Sequence, residues 1–174
     1  VGRLVAAKGF DILLNAWRDL PGRLIIIGSG PDEAALKAQH AALGLGDRVV
    51  FAGYRPDVPL LMAASDLLVI ASRREGFPYV LIEALHTGVP IVATAIPGAA
   101  DYLPADKVVP CGTPEPLHSV IAQALENKST LRMQYQPWFR RAQSELTLEH
   151  MTQRTVDFYM QLSALSTKSG SPVI

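Results

Sequence analysis

The sequence predicts an α/β domain built on a doubly wound, mostly parallel, Rossmann-like sheet of about six strands, followed by additional helices. Three observations carry this reading. Short apolar runs rich in β-branched residues alternate with longer stretches of helical period. The runs are apolar on both faces, as strands covered by helices on each side must be. Hydrophobic residues make up 49% of the 174 positions, enough for one sizeable domain with a single core.

In chain order, a first, truncated strand ends at Val1, and a helix at 10–20 follows it. Strands at 24–27, 49–52, 67–71, 90–94 and 107–109 then alternate with helices at 32–43, 58–64, 79–87 and 116–126. Gly44 and Gly88 stand just past the last periodic residue of their helices, where a left-handed C-cap is needed. After Asn127 the alternation ceases. Two further helices are expected at 131–144 and 148–165, with Thr147 as N-cap of the second. Residues 166–174 are small and polar and are expected to fray. The domain is thus drawn at 1–165. Because the chain opens at the end of a strand, the expectation is half of a larger protein.

Composition removes several classes. Lys plus Arg and Asp plus Glu number 16 each, so no net field draws the chain to nucleic acid or anionic lipid. The single cysteine, Cys111, cannot form an internal disulfide and fits a cytoplasmic setting. No apolar run reaches the roughly 18 residues of a membrane span, and no signal-peptide pattern opens the sequence. Membrane contact is therefore not expected from this domain, though a missing half could supply it.

Ligands of open parallel sheets bind at the carboxyl ends of the strands, over helix N-termini. The segment Glu75-Gly76-Phe77-Pro78-Tyr79-Val80-Leu81-Ile82-Glu83 follows one strand and enters a helix. Gly76 and Phe77 precede that helix, where backbone N–H groups lack helical partners. Pro78 suits its first turn. Glu83 lies in an apolar stretch and is expected to face back toward the pocket that Glu75 enters. Two carboxylates at one site can accept paired hydrogen bonds from vicinal hydroxyls, as on sugar and ribose rings. Two solvated surface glutamates would be the commoner reading of such spacing; the apolar setting of Glu83 argues against it.

A second set is Gly2-Arg3-Leu4 with Lys8-Gly9-Phe10-Asp11. Gly2 permits close backbone approach, while Arg3 and Lys8 could neutralise a diphosphate and stabilise it as a leaving group. Gly28-Ser29-Gly30-Pro31 suggests a tight strand-to-helix turn near the ligand. It lacks the third glycine of a dinucleotide fingerprint, since Glu33 stands there. His40, His86, His118 and His150 have no metal spacing and are read as packing or surface groups. Trp138, Phe139, Phe158 and Tyr159 could pack on this domain or dock a missing half.

The ordered set of Gly2-Arg3-Leu4, Lys8 to Asp11, Ile27 to Pro31, Phe51 to Tyr54, Ser72, Glu75 to Pro78, Glu83 and Gly88 to Thr94 resembles the C-terminal domain of the family 4 retaining glycosyltransferases, glycosyl transferases group 1, one half of a GT-B fold. The likeness is close over 1–103 and general beyond. It implies transfer of a hexose from a nucleotide diphosphate sugar to an acceptor hydroxyl with retention, in bacterial-type polysaccharide or glycolipid synthesis. It also implies that Arg3 and Lys8 bind the diphosphate, with Glu75 beside the transferred sugar in a catalytic trio. Gly2, Gly30, Gly76, Phe77 and Pro78 would line the donor, Tyr54 and Arg55 would lie near the base, and Glu83 would hold the ribose. No metal or other cofactor is implied, and the acceptor site belongs to an absent N-terminal domain. The segment Pro97-Gly98-Ala99-Ala100-Asp101 departs from the family's glycine pair and glutamate. The alternatives are a nucleotide-sugar epimerase and a non-catalytic nucleotide-sugar-binding module.

Overall fold

A computed structural model describes residues 1–169. The elements are α1 (Phe10–Ala16), β1 (Leu24–Ile27), α2 (Glu33–Ala42), β2 (Val49–Gly53), α3 (Val58–Ala63), β3 (Leu68–Ile70), α4 (Tyr79–Thr87), β4 (Ile91–Thr94), α5 (Ala99–Tyr102), β5 (Val108–Val109), α6 (Pro114–Glu126), α7 (Lys128–Gln134), α8 (Gln136–Glu145) and α9 (Leu148–Ser169). All strand pairings are parallel. The α/β class and the strand direction match the sequence expectation.

The single sheet of about six strands does not. Among the described residues, five strands form two sheets, β1 with β2 and β3-β4-β5 in order. Between β1 and β3 runs a groove of about 480 Å³ whose lining includes Val1, Leu13, Trp17, Ile26, Leu68 and Val69. The segment expected to close a strand at Val1 does enter beside β1: the Gly2 amide donates to Ile27 O and the Leu4 amide to Ser29 O, both at 2.9 Å. Donors that alternate along the segment are what parallel pairing produces.

Strand β4 is the innermost, with all four residues buried, because helices pack on both faces of its sheet. Helix α4 shows how the amphipathic period places the core. Leu81, Ala84 and Leu85 form its buried stripe, spaced as one face of a 3.6-residue helix. It ends at Gly88, which takes the left-handed C-cap conformation that the sequence suggests.

The expected helix at 131–144 is two helices. Pro137 lies in the first turn of α8, where it offers no N–H to the carbonyl of Met133, and the break falls at Tyr135. Tyr135 is buried, and its hydroxyl donates to Ile91 O of β4. Its ring packs against Phe139 and Trp138 at centroid distances of 5.6 and 5.9 Å, so that part of the C-terminal aromatic set serves this domain. Burial pushes the Tyr135 hydroxyl pKa well above the usual tyrosine value, so the donor is kept. Thr147 caps α9 as expected, accepting from the His150 amide at 3.1 Å. Helix α9 runs on through Ser169, past the expected boundary at 165, and the rest of the expected tail lies outside the described residues. Phe158 and Tyr159 on α9 are exposed.

Tyr135→Phe should cost about 1 kcal/mol by leaving Ile91 O without its donor. Tyr135→Ala should cost roughly 3–5 kcal/mol through the cavity it opens. Urea unfolding of both variants measures the difference, and equal costs would show that the hydroxyl and ring are not separable contributions.

Candidate functional site

The loop after β3 carries the densest chemistry. Buried Ser72 donates from Oγ to Glu75 Oε1 at 2.7 Å, and Lys8 Nζ donates to the same oxygen at 2.6 Å. The Glu75 side chain is only 11% exposed and that of Lys8 27%, so solvent screens this pair less than a surface ion pair. Two charges from segments 67 residues apart meet here because of Gly9. This residue has φ +64°, and a Cβ on it would lie 2.0 Å from Ala71 O. Only glycine lets the short 3₁₀ turn Ala6–Lys8 lie against the end of β3. Ser72 is itself held by Thr94 of β4, whose hydroxyl donates to Ser72 O at 2.6 Å.

A second clamp ties the same two loops. The Arg73 guanidinium donates to both oxygens of Asp11 at 2.6 Å and to Ala6 O at 2.8 Å. The Arg73 amide adds a bond to Ala7 O at 2.8 Å. Nothing in the spacing of Asp11 and Arg73 along the chain pairs them; only the parallel topology, which sets both strand ends at one edge, does so.

The other expected site residues distribute unequally. Gly76 and Phe77 lie just before Pro78 and α4, and their amides have no protein acceptor among the described residues. Pro78 is the N-cap of α4, one position earlier than the first-turn place read from the sequence. Arg3 is exposed and makes no hydrogen bond or ion pair through its side chain among the described residues. Tyr54, 81% exposed, follows β2, and Arg55 beside it is engaged by Asp57 at 2.6 and 2.7 Å.

Gly30 has a structural task of its own: a Cβ there would lie 2.3 Å from Leu4 O. The Gly28-Ser29-Gly30 turn is therefore passed closely by the protein's own Gly2–Leu4 backbone, which alone explains the glycines. Glu83 needs a correction. Far from being buried in an apolar stretch, it is exposed, opposite the Leu81–Ala84–Leu85 stripe, and has no protein partner among the described residues. The neighbouring apolar letters belong to the other face of the helix. Burial thus gives no reason for Glu83 to have a partner.

Three of the four histidines bond backbone carbonyls, His40 to Gly46, His86 to Leu146 and His118 to Ala16, in keeping with packing roles. No group of three or more His, Cys, Asp or Glu is placed to hold a metal ion among the described residues. Nor is any described helix long and apolar enough to cross a membrane. The groove of about 480 Å³ between the sheets has neither Lys8 nor Glu75 in its lining.

Residues 1–137 match the family described as Glycosyl transferases group 1. The chain belongs to this family. Among its relatives, 2-deoxystreptamine glucosyltransferase of Streptomyces kanamyceticus is 34% identical over 117 residues, covering 63% of this chain and 30% of the relative. The lipopolysaccharide core biosynthesis glycosyltransferase LpsE of Rhizobium meliloti is 36% identical over 99 residues, 56% of this chain and 29% of the relative. The chain therefore spans less than a third of these curated relatives. Among solved structures, Anabaena HepE in complex with UDP superposes with a TM-score of 0.84 at 27% identity, over 92% of this chain and 47% of that one. Sucrose-phosphate synthase from Thermosynechococcus elongatus gives a TM-score of 0.81 at 27% identity, over 95% and 45%.

The clamp between Arg73 and Asp11 can be tested through pH. Hydrogen bonding and charge from Arg73 hold the Asp11 carboxyl below the usual carboxylate range. A depressed folded-state pKa adds stability above the unfolded value of about 3.9, and that stability is lost as pH falls through the folded value. The side chains are 38% and 42% exposed, so the contribution at neutrality is about 1 kcal/mol or less. Asp11→Asn should lower the thermal midpoint at pH 7, and the gap from the parent should shrink as pH falls below the ordinary carboxylate range. A gap that persists unchanged into acid would place its cause outside the ion pair.

Proposed function

We propose that this domain is the donor-binding half of a retaining glycosyltransferase that moves a hexose from a nucleotide diphosphate sugar to an acceptor hydroxyl. The observation that carries the reading is the Lys8–Glu75 pair, seated on Ser72 beside the unpartnered amides of Gly76 and Phe77. Its arrangement suits a ligand that is anionic at one end and polyhydroxylated at the other. Lys8 offers a cation already oriented by a carboxylate, and the amides offer donors at the start of α4. HepE, the similar protein, has been solved with UDP and with UDP-glucose, which supports a uridine nucleotide as the first ligand to test.

On this reading Lys8, with Arg3, faces the diphosphate. Negative charge grows on its bridging oxygen as the bond to the anomeric carbon breaks, and a preorganised cation stabilises that charge without reorganising. The acceptor oxygen replaces the diphosphate on the same face of the sugar, and its proton passes to the oxygen of the departing diphosphate. Glu75 orients Lys8 through one oxygen and leaves its other oxygen to accept from a sugar hydroxyl. Glu83, exposed on α4, would meet the ribose hydroxyls only when the nucleotide lies over that helix. The acceptor would be held by a second domain, in keeping with the share of HepE left uncovered. No metal enters this reading: Lys8 and Arg3 supply the positive charge.

In the intact protein, Glu75→Gln should lower turnover by roughly 10²-fold or more with little change in nucleotide affinity, because its contacts strengthen at the reacting centre. Glu83→Gln should instead raise the dissociation constant for UDP by about tenfold with turnover nearly kept. Calorimetry with UDP and steady-state kinetics with UDP-sugars separate the two. Absence of any UDP, GDP or ADP binding would remove the donor-site reading altogether.

A further inference from the structure

Beside the segment Pro97–Asp101, an aromatic contact reaches from helix α8 to the loop carrying Glu75. Arg141 of α8 lies over the ring of Tyr102 at 4.9 Å. The same guanidinium donates from Nη1 to Asp101 O at 2.7 Å and from Nε to Glu145 at 3.0 Å. Tyr102 ends α5, and its ring meets that of Phe77 edge to face, with centroids 6.3 Å apart and planes at 80°. Phe77 also lies against Gly98, where a Cβ would lie 2.5 Å from the Phe77 ring.

Phe77 is 41% exposed, too open to serve as core, yet its ring is boxed by backbone and by a second ring. The loop Glu75–Pro78 is thus gripped at both ends, by Lys8 and Ser72 at Glu75 and by Gly98 and Tyr102 at Phe77. We propose that Tyr102 and Arg141 are positioning residues that set the Phe77 end of this loop, and with it the Gly76 and Phe77 amides, for the donor diphosphate. Edge-to-face rings and a guanidinium over a ring are directional contacts, so they fix an orientation that apolar burial alone would leave loose. This inference rests on the donor-site reading above and assigns to α8 a part in it.

The two ideas fail separately. UDP is titrated first into the unaltered intact protein; no heat there would sink the donor-site reading, and the positioning role with it. Given binding, Tyr102→Ala and Arg141→Ala should each weaken UDP roughly tenfold, while Tyr102→Phe, which keeps the ring, stays within about twofold. The double variant Tyr102→Ala with Arg141→Ala should bind about as weakly as either single variant, because both act through one contact. A purely structural role would lower the melting temperature and leave the affinity of the folded fraction unchanged. Arg141 is at the surface, so Arg141→Gln provides a form expected to fold even where Tyr102→Ala does not. Normal UDP affinity in folded Arg141→Gln, or fully additive losses in the double variant, would overturn the proposal.

Discussion

The ion pair between Lys8 and Glu75 is the constraint on which the site depends. A lysine ammonium and a nearly enclosed carboxylate at 2.6 Å cost desolvation that their attraction offsets only when both are held in place. The protein meets that condition by bracing each partner. Ser72 donates to the carboxylate, Thr94 fixes Ser72, and Gly9 lets the lysine turn touch the end of β3. Removal of Lys8 would leave a buried acceptor short of a donor, a loss of roughly 1–3 kcal/mol before any ligand is considered.

Around this pair the parallel topology does most of the work. The turns that follow β3 and precede α1 come from distant parts of the chain, yet parallel strands bring their carboxyl ends to one edge. Arg73 and Asp11 exploit the same proximity, and Phe77, Tyr102 and Arg141 extend it toward α8. The contacts around this pair join loop segments through side chains. Its accuracy therefore depends on clamps of this kind more than on the apolar core.

Much of this was legible in the sequence. Strand 24–27 and helix 79–87 appear with the bounds read from their hydrophobic period, because local pattern and burial agree there. Lys8 and Glu75 could be singled out from their motifs, though their direct contact could not. Two kinds of feature stayed hidden. Pairs such as Asp11–Arg73 and Tyr102–Arg141 join elements with no shared periodicity, so only tertiary packing reveals them. The exposure of Glu83 stayed hidden because a run of apolar letters on a helix says nothing about one residue until the buried face is known; here that face is Leu81, Ala84 and Leu85. The expectation of one sheet likewise gave way to two, since a strand count from alternation does not say which edges meet.

The most direct measurement is a crystal structure of the intact protein with UDP bound. The expected result places the diphosphate within hydrogen-bond reach of Lys8 Nζ and of the Gly76 and Phe77 amides, about 2.7–3.2 Å, with Lys8 still in contact with Glu75. A nucleotide bound in the groove between β1 and β3, or anywhere that leaves the Lys8–Glu75 pair untouched, would contradict it.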